Sequence, residues 1–225
     1  MELITILLGL LPGFAWLFFF LGEDDHKEPK KLIAFTFIMG AAAAFVALFA
    51  ELFLSSLIQG LGIARLSIFA LLIFALTEEF IKFCAAYLSV KKNPAFDEPV
   101  DAMIYMVVAA LGFATVENLG AINGTVYGQG ALLVNIFATT SLRFVGATLL
   151  HALTSAIVGY YWAMTIREFE IKKPLLWGLL IATLLHCLFN YLIIILGNAA
   201  YTLVFLIIIA FFVLGDFEKL KKEAV

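Results

Sequence analysis

Unbroken apolar segments of roughly 20 residues recur along this chain, and they limit the folds that it can adopt. Helical segments of this length match the thickness of a bilayer, whereas the strands of a membrane barrel are about 10 residues long and alternate in polarity. Hydrophobic residues make up 64% of the chain and charged residues 14%, against about half and about 25% in a soluble domain. The chain is therefore predicted to be an all-α, polytopic membrane helical bundle.

Hydropathy and flanking charges predict about seven transmembrane helices in a single membrane domain over residues 1–225. The predicted spans are residues 2–21, 32–57, 64–90, 100–120, 142–165, 174–196 and 199–215. Residues 131–141 are apolar but too short to cross a bilayer once residues 142–165 are assigned. They are predicted to form a short re-entrant or interfacial helix.

The lysine and arginine residues predict the orientation of the chain in a cell membrane. Eleven of the 14 lie in the first, third and fifth connections or in the C-terminal tail, which share one side of the predicted map. The second, fourth and sixth connections carry almost no charge. By the positive-inside rule, the N-terminus is predicted outside and the C-terminus in the cytoplasm.

Ionisable side chains lie within four of the predicted spans, although a charge at the centre of a bilayer costs at least about 2.5–3.5 kcal/mol. At about 1.5 Å per helical residue, several of them reach similar depths in the outer half of the membrane. Such residues are functional by default, and inward-facing side chains of this kind form metal sites in helical bundles. The residues concerned are Glu78, Glu79, Lys82, Glu117, Arg143, His151 and His186.

The spacing of these residues indicates which of them share a helix face. Glu78 and Lys82 are four residues apart and lie on one face, as do His186 and Asn190. Glu79 is rotated by about 100° from Glu78, so the two carboxylates cannot point the same way. One of them is expected to face the common site while the other meets Lys82 or Arg143, and the spacing leaves open which is which.

Two histidines and several carboxylates at similar depth are typical of a site for a divalent cation, for which zinc is the prediction. Catalytic zinc sites use three protein ligands and keep a position for water, which a nearby glutamate can deprotonate. Asn190, one turn after His186, could orient that imidazole or stabilise an oxyanion. No basic patch suggests a nucleic-acid partner, and the sequence does not indicate the oligomeric state.

Four sequence motifs, taken together and in order, resemble the PrsW family of intramembrane proteases, a distant relative of the CAAX-processing and bacteriocin-processing membrane proteases. The motifs are TEEFIK (77–82), DAMIYMVVAALGFATVEN (101–118), the stretch from Arg143 to His151, and HCLFN (186–190). The match covers about residues 75–195, the expected catalytic core. The resemblance implies a metal-dependent peptidase that acts on membrane-anchored proteins, with anti-sigma factors as a known substrate class.

The resemblance also implies a role for each matching residue. Glu78 is expected to act as the general base on a metal-bound water, supported by Glu79 and Lys82 of the EExxK pattern. The metal ligands are expected to be Glu117, His151 and His186. Asn190 is expected to assist the oxyanion. Because the polar cluster lies in the outer half of the membrane, cleavage is expected at or near the outer membrane face.

Other functions are compatible with the same residues. A proton-coupled transporter or channel could use the glutamate, lysine and histidine side chains as a relay. The polar groups collect at one depth, however, and no repeat between the two halves of the chain is visible. A non-catalytic scaffold for single-span partners is a third interpretation, and a purely structural network of ion pairs is the simplest explanation of Glu78, Glu79 and Lys82.

Overall fold

The computed structural model describes residues 2–129, 133–167, 173–195 and 199–223. The described part is helical, with short connections. The helices in chain order are α1 (Glu2–Leu21), α2 (Lys30–Gly60), α3 (Ile68–Val90), α4 (Pro99–Gln129), α5 (Leu133–Val145), α6 (Ala147–Arg167), α7 (Lys173–Asn190), which continues into a π-helical turn (Tyr191–Ile195), and α8 (Ala199–Glu223).

The predicted membrane helical bundle is confirmed by the length and composition of these helices. Five helical stretches of the described residues are long and apolar enough to cross a membrane: 30–60 in α2, 99–124 in α4, 137–165 in α5 and α6, 173–194 at α7, and 200–222 in α8. α1 contributes a shorter apolar stretch, residues 6–21. α3 has 23 residues, but it carries three ionisable side chains in its middle.

α4 is the central helix of the bundle. Of its most apolar stretch, 89% is buried inside the protein, against 28% for α8. α4 packs against α1, α2, α3, α5, α6 and α8. The outer helices instead expose large apolar side chains, such as Phe18 on α1 and Phe211 on α8, to the surroundings that a bilayer would provide.

The region of residues 131–165 differs from the predicted boundaries. The predicted span 142–165 is broken at Gly146, so that α5 takes its first four residues and α6 begins at Ala147. The short helix predicted at 131–141 is observed as α5, residues 133–145, while residues 131 and 132 lie outside the described part. α5 packs against α1, α4 and α6, and Nε1 of Trp16 donates a hydrogen bond to the carbonyl oxygen of Phe144 at 2.8 Å. Its re-entrant or interfacial position stays a prediction.

The connection between α1 and α2 is held to the start of α4. Nδ1 of His26 lies 2.8 Å from Oε1 of Glu98, and this hydrogen bond raises the pKa of His26 above its ordinary value. The hydroxyl of Tyr105 on α4 donates a hydrogen bond to Glu28. Burial raises the pKa of the Glu28 carboxyl, because the charged form loses its hydration. These contacts anchor the loop to the central helix.

α2 and α4 cross with their backbones in close contact. A Cβ atom on Gly40 would lie 1.9 Å from the carbonyl oxygen of Ala109, and one on Gly112 would lie 2.0 Å from that of Phe37. Neither glycine can carry a side chain unless the helices separate. Small residues allow this approach in membrane bundles, where packing replaces the hydrophobic effect as the main source of association.

Substituting Gly112 by alanine is expected to destabilise the protein by at least about 2 kcal/mol, because the added methyl group forces α2 away from α4. The measurement is the free energy of unfolding of the purified protein in detergent micelles. Gly124→Ala on the same helix is the matched control, since its Cβ would meet no atom within 4 Å. Equal stability of the two variants would contradict the close helix contact.

Candidate active site

Three side chains from three helices converge in the interior of the bundle. Glu78 on α3, His151 on α6 and His186 on α7 each offer one oxygen or nitrogen atom, and these atoms all lie within 4.8 Å of one another. Oε2 of Glu78 is 3.8 Å from Nδ1 of His151 and 3.9 Å from Nε2 of His186. The three side chains are buried. We refer to these residues as the Glu–His–His triad.

Helix packing brings the triad together from distant parts of the sequence. α6 packs against α7, α3 packs against α7, and α3 and α6 are also in contact. The two imidazole rings meet edge to face, with their centroids 5.2 Å apart. The side chains that α3, α6 and α7 direct inward therefore share one small volume.

The two adjacent glutamates of α3 have different surroundings. Oε1 of Glu79 accepts hydrogen bonds from Nζ of Lys82 at 2.7 Å and from Oγ1 of Thr154 at 3.0 Å, and it lies 2.8 Å from Nδ1 of His186. Oε2 of Glu78 is buried and has no hydrogen-bond partner among the described residues. The choice that the sequence left open is thus made by the packing: Glu78 faces both imidazoles, and Glu79 is engaged by its neighbours.

Each imidazole of the triad has one nitrogen toward Glu78, and its other nitrogen lies close to a second carboxylate. Nδ1 of His186 lies 2.8 Å from Oε1 of Glu79, and Nε2 of His151 lies 2.8 Å from Oε2 of Glu117. When these nitrogens donate their protons to the carboxylates, Nε2 of His186 and Nδ1 of His151 keep their lone pairs. Those two atoms are the ones that face Glu78. Histidine ligands of metals are commonly oriented by a carboxylate in this manner.

Lys82 lies beside the triad, with its side chain fully buried. Its Nζ is 2.9 Å from Nδ1 of His151 and 5.3 Å from the centroid of the Phe113 ring. An ammonium group has only donors, so Nδ1 of His151 accepts this hydrogen bond. The lysine therefore favours the same imidazole tautomer as the carboxylate of Glu117. A cation bound through Nδ1 would take the place of this lysine contact.

Glu117, which the sequence analysis assigned as a metal ligand, lies next to the triad and outside the group of three converging donors. Its Oε2 accepts a hydrogen bond from Nη2 of Arg143 at 3.1 Å and contacts Nε2 of His151. Nε of Arg143 in turn donates to Oδ1 of Asn118 at 2.5 Å. These contacts are those of a residue that orients His151, and the ligand role of Glu117 stays a prediction.

Asn190 lies one turn after His186, at the end of α7, and is half-buried. Among the described residues, no hydrogen bond joins it to the triad. Its predicted role at an oxyanion therefore stays a prediction, which is supported only by the helix face that it shares with His186.

Two polar residues near the triad were not identified from the sequence. Glu51 lies on α2, half-buried, and its carboxyl group is close enough to that of Glu78 for the two to interact electrostatically. Thr154 lies on α6, three residues after His151, and donates to Glu79. Glu51 could have been identified from the sequence, because it is an acidic residue well inside an apolar helix. A threonine in a helix carries no comparable signal.

The donors of the triad fit a divalent cation. The site offers one carboxylate oxygen without a partner and two imidazole nitrogens whose neighbours favour the ligating tautomer. Imidazole and carboxylate are donors that zinc accepts in catalytic sites, and burial excludes competing water. Glu79 and Glu117, which contact the imidazoles of His186 and His151, fit the interpretation as a metal site, since metal-binding histidines are commonly oriented by carboxylates.

The helices of membrane length define an integral membrane protein. In its interior, the Glu–His–His triad offers side-chain atoms of the kinds that bind metal ions. The chain matches the family described as "PrsW family intramembrane metalloprotease" over residues 28–215. The chain therefore belongs to the PrsW family of intramembrane metalloproteases.

Three relatives named "Protease PrsW" show how closely the chain resembles family members. The protein from Geobacillus kaustophilus is 32% identical over 189 residues, which cover 82% of this chain and 77% of the relative. The protein from Oceanobacillus iheyensis is 30% identical over 200 residues, covering 87% and 85% respectively. The protein from Bacillus subtilis is 28% identical over 197 residues, covering 86% and 84%. No solved structure gives a significant match to this chain.

Proposed function

We propose that this protein is a metal-dependent intramembrane peptidase in which Glu78 accepts a proton from the water that attacks a peptide bond. The observation that carries this proposal is the position of Oε2 of Glu78, which is buried, lacks a hydrogen-bond partner among the described residues and faces one nitrogen of each imidazole. A carboxylate so placed can take a proton from a water molecule between it and the two rings.

His151 and His186 would hold a divalent cation, proposed to be zinc, next to Glu78. When bound, the cation would supply a water of lowered pKa and polarise the scissile carbonyl. Glu79 and Glu117 hold the two imidazoles in one tautomer. Lys82 compensates the charge of Glu79 at 2.7 Å. Asn190 is proposed to donate a hydrogen bond to the carbonyl oxygen as it becomes an oxyanion.

The proposed substrates are membrane-anchored proteins, with a single-span anti-sigma factor as an example. A site within apolar helices is reached most directly by a segment that is itself in the membrane. The distribution of lysine and arginine supports an orientation with the N-terminus outside and the C-terminus in the cytoplasm. With that orientation, we propose that cleavage occurs near the outer face.

The direct test is proteolysis by the purified protein after reconstitution into liposomes with tagged single-span membrane proteins, anti-sigma factors included. We expect at least one of them to be cut, and mass spectrometry of the products would locate the bond within or next to its membrane segment. The absence of cleavage from the whole panel, by folded and metal-loaded protein, would contradict the proposal.

Removing one imidazole of the triad is expected to remove the metal. Wild-type protein should contain about one zinc ion per chain, and His186→Ala and His151→Ala should lower the affinity for zinc by at least about tenfold. The measurement is metal analysis of purified protein after dialysis against a defined concentration of free zinc. His26→Ala is the matched control, because this histidine lies in an exposed loop with its ring paired to Glu98. Equal zinc content in all four proteins would contradict a metal site at the triad.

A proton relay is a second candidate function, and one feature of the structure favours it. Glu117, His151, Lys82, Glu79 and His186 form an unbroken series of contacts of 2.7–2.9 Å. Such a series could pass protons, as in transporters. Proton flux into liposomes that contain the protein, without cleavage of any substrate, would support this function over proteolysis.

A further inference from the structure

A cavity of about 450 Å³ lies between α2 and α4, next to the triad. Its volume is within the range of sites that bind small molecules or parts of larger ones, which is about 300–1,000 Å³. Apolar side chains form most of the wall, which also includes two carboxylates. The residues that matter here are Ala44, Ala47 and Glu51 on α2, and Phe113, Glu117 and Gly120 on α4.

The cavity follows from the way in which α2 and α4 cross. Gly40 and Gly112 allow the two backbones to touch, with Gly40 against Ala109 and Gly112 against Phe37. The cavity begins one helical turn beyond this contact, at Ala44, and continues toward the C-terminal ends of both helices. Because alanines line the α2 wall at positions 44 and 47, the separation of the helices leaves space that larger side chains would fill.

One side of the cavity borders the candidate active site. Glu51 lines the cavity, and its carboxyl group is close enough to that of Glu78 for the two to interact electrostatically. Glu117 lines it and contacts Nε2 of His151 at 2.8 Å. The ring of Phe113 separates the cavity from His151, with the ring centroids 5.7 Å apart. A group bound in the cavity would therefore lie directly beside the triad.

The outer edge of the cavity faces the surroundings of the protein. Phe45 and Leu48 line the cavity and are also exposed, with 55% and 51% of their surface accessible. Both lie in the middle of α2, a helix that is long and apolar enough to cross a membrane. The cavity thus has an apolar edge on the lipid side and two carboxylates in the wall near the triad.

We propose that this cavity is the subsite that receives a bulky apolar side chain, of leucine or phenylalanine size, adjacent to the cleaved bond of a membrane-anchored substrate. This inference rests on the proposed peptidase function. The substrate segment enters between α2 and α4 from the lipid side. Its apolar side chain packs against Ala44 and Ala47, and the carboxylates of Glu51 and Glu117 accept hydrogen bonds from its backbone N–H groups. The space above the two alanines sets the size of side chain that is accepted.

The first test measures selectivity for the size of the substrate side chain. The probe is a tagged single-span protein that the wild type cleaves at a bond mapped by mass spectrometry, prepared with leucine, phenylalanine or alanine at each position flanking that bond. Ala44→Leu should lower kcat/KM for the leucine and phenylalanine forms by about tenfold or more, because it fills the subsite, and should change the alanine form by less than about twofold. Ala42→Leu, on the exposed face of the same helix, is the matched control and should leave all three values unchanged.

The second test detects occupation of the cavity without relying on turnover. Ala44 is replaced by cysteine in a Glu78→Gln background in which Cys84 and Cys187 are replaced by alanine. The substrate carries a single cysteine at successive positions along its membrane segment. Oxidation then forms a disulfide wherever the two cysteines are in contact. We expect a disulfide only with cysteines within one or two residues of the mapped bond. Ala42→Cys, the matched control, should form no disulfide with any of these substrate cysteines.

The results separate this inference from the proposed function. Wild-type protein that cleaves no single-span protein would contradict the peptidase proposal and, with it, the subsite. Cleavage by the wild type, combined with equal selectivity of Ala44→Leu and Ala42→Leu and no cross-link at position 44, would overturn the subsite alone. If Ala44→Leu fails to fold, the cross-linking result decides.

Discussion

Glu78→Gln is expected to lower the rate of substrate cleavage by about 10²–10⁴-fold while the protein stays folded in the membrane. Glutamine keeps the size of the side chain and an oxygen atom near Nδ1 of His151 and Nε2 of His186, but it cannot accept a proton from water. The measurement is the initial rate of cleavage of a reconstituted single-span protein. Because the two imidazoles are unchanged, we expect much of the bound metal to be retained.

The control for this variant is Glu218→Gln, which changes the same functional group at an exposed position near the end of α8. It should cleave at the wild-type rate. A Glu78→Gln protein with more than about a tenth of the wild-type rate would contradict the role of Glu78 as proton acceptor. Combined with His186→Ala, the substitution should add little further loss, because residues that act as a unit are not additive.

Lys82→Met is expected to destabilise the protein by about 3–5 kcal/mol. Nζ of Lys82 lies 2.7 Å from Oε1 of Glu79, and both side chains are completely buried. Methionine preserves much of the apolar stem but leaves the negative charge of Glu79 without its cation. The measurement is the free energy of unfolding in detergent micelles or bicelles, since it does not depend on a substrate.

The double variant Lys82→Met/Glu79→Gln is the matched comparison. It removes both charges, so most of the lost stability should return, although the introduced amide would no longer orient His186 in the same manner and cleavage should remain low. Lys91→Met, at the exposed end of α3, controls for removing a lysine. A loss of less than about 1 kcal/mol in the single variant would show that Glu79 is not held as a buried anion.

These two variants separate the functions of adjacent residues on α3. Oε2 of Glu78 faces the two imidazoles, whereas Oε1 of Glu79 has three close partners and connects α3 to α6 and α7. We therefore expect the Glu78 substitution to act on the rate and the Lys82 substitution to act mainly on stability. The two neighbouring glutamates face different surroundings because a helix rotates by about 100° per residue, and we propose that they therefore have different roles.

The sequence by itself determined the class of protein and indicated the main members of the candidate site. Apolar segments of membrane length permit only a helical bundle here, and this follows from local composition. Glu78, His151 and His186 stood out because ionisable groups within apolar helices are costly, and the structure places the three side chains together. Their family motifs led to the PrsW family, which the comparisons confirm.

Only the tertiary structure decided which side chain contacts which. The sequence left open which of Glu78 and Glu79 would meet Lys82 or Arg143, and it did not indicate that Glu79 would also contact His186. Nor did it indicate that Glu117 would lie behind His151 or that Glu51 on α2 would lie close to Glu78. It also placed the start of the fifth span before the break at Gly146. The physical reason is that depth and helix face follow from spacing along one chain, whereas partners depend on the rotation and separation of neighbouring helices. Contacts such as those of Gly40 and Gly112, which no local pattern encodes, set that rotation and separation.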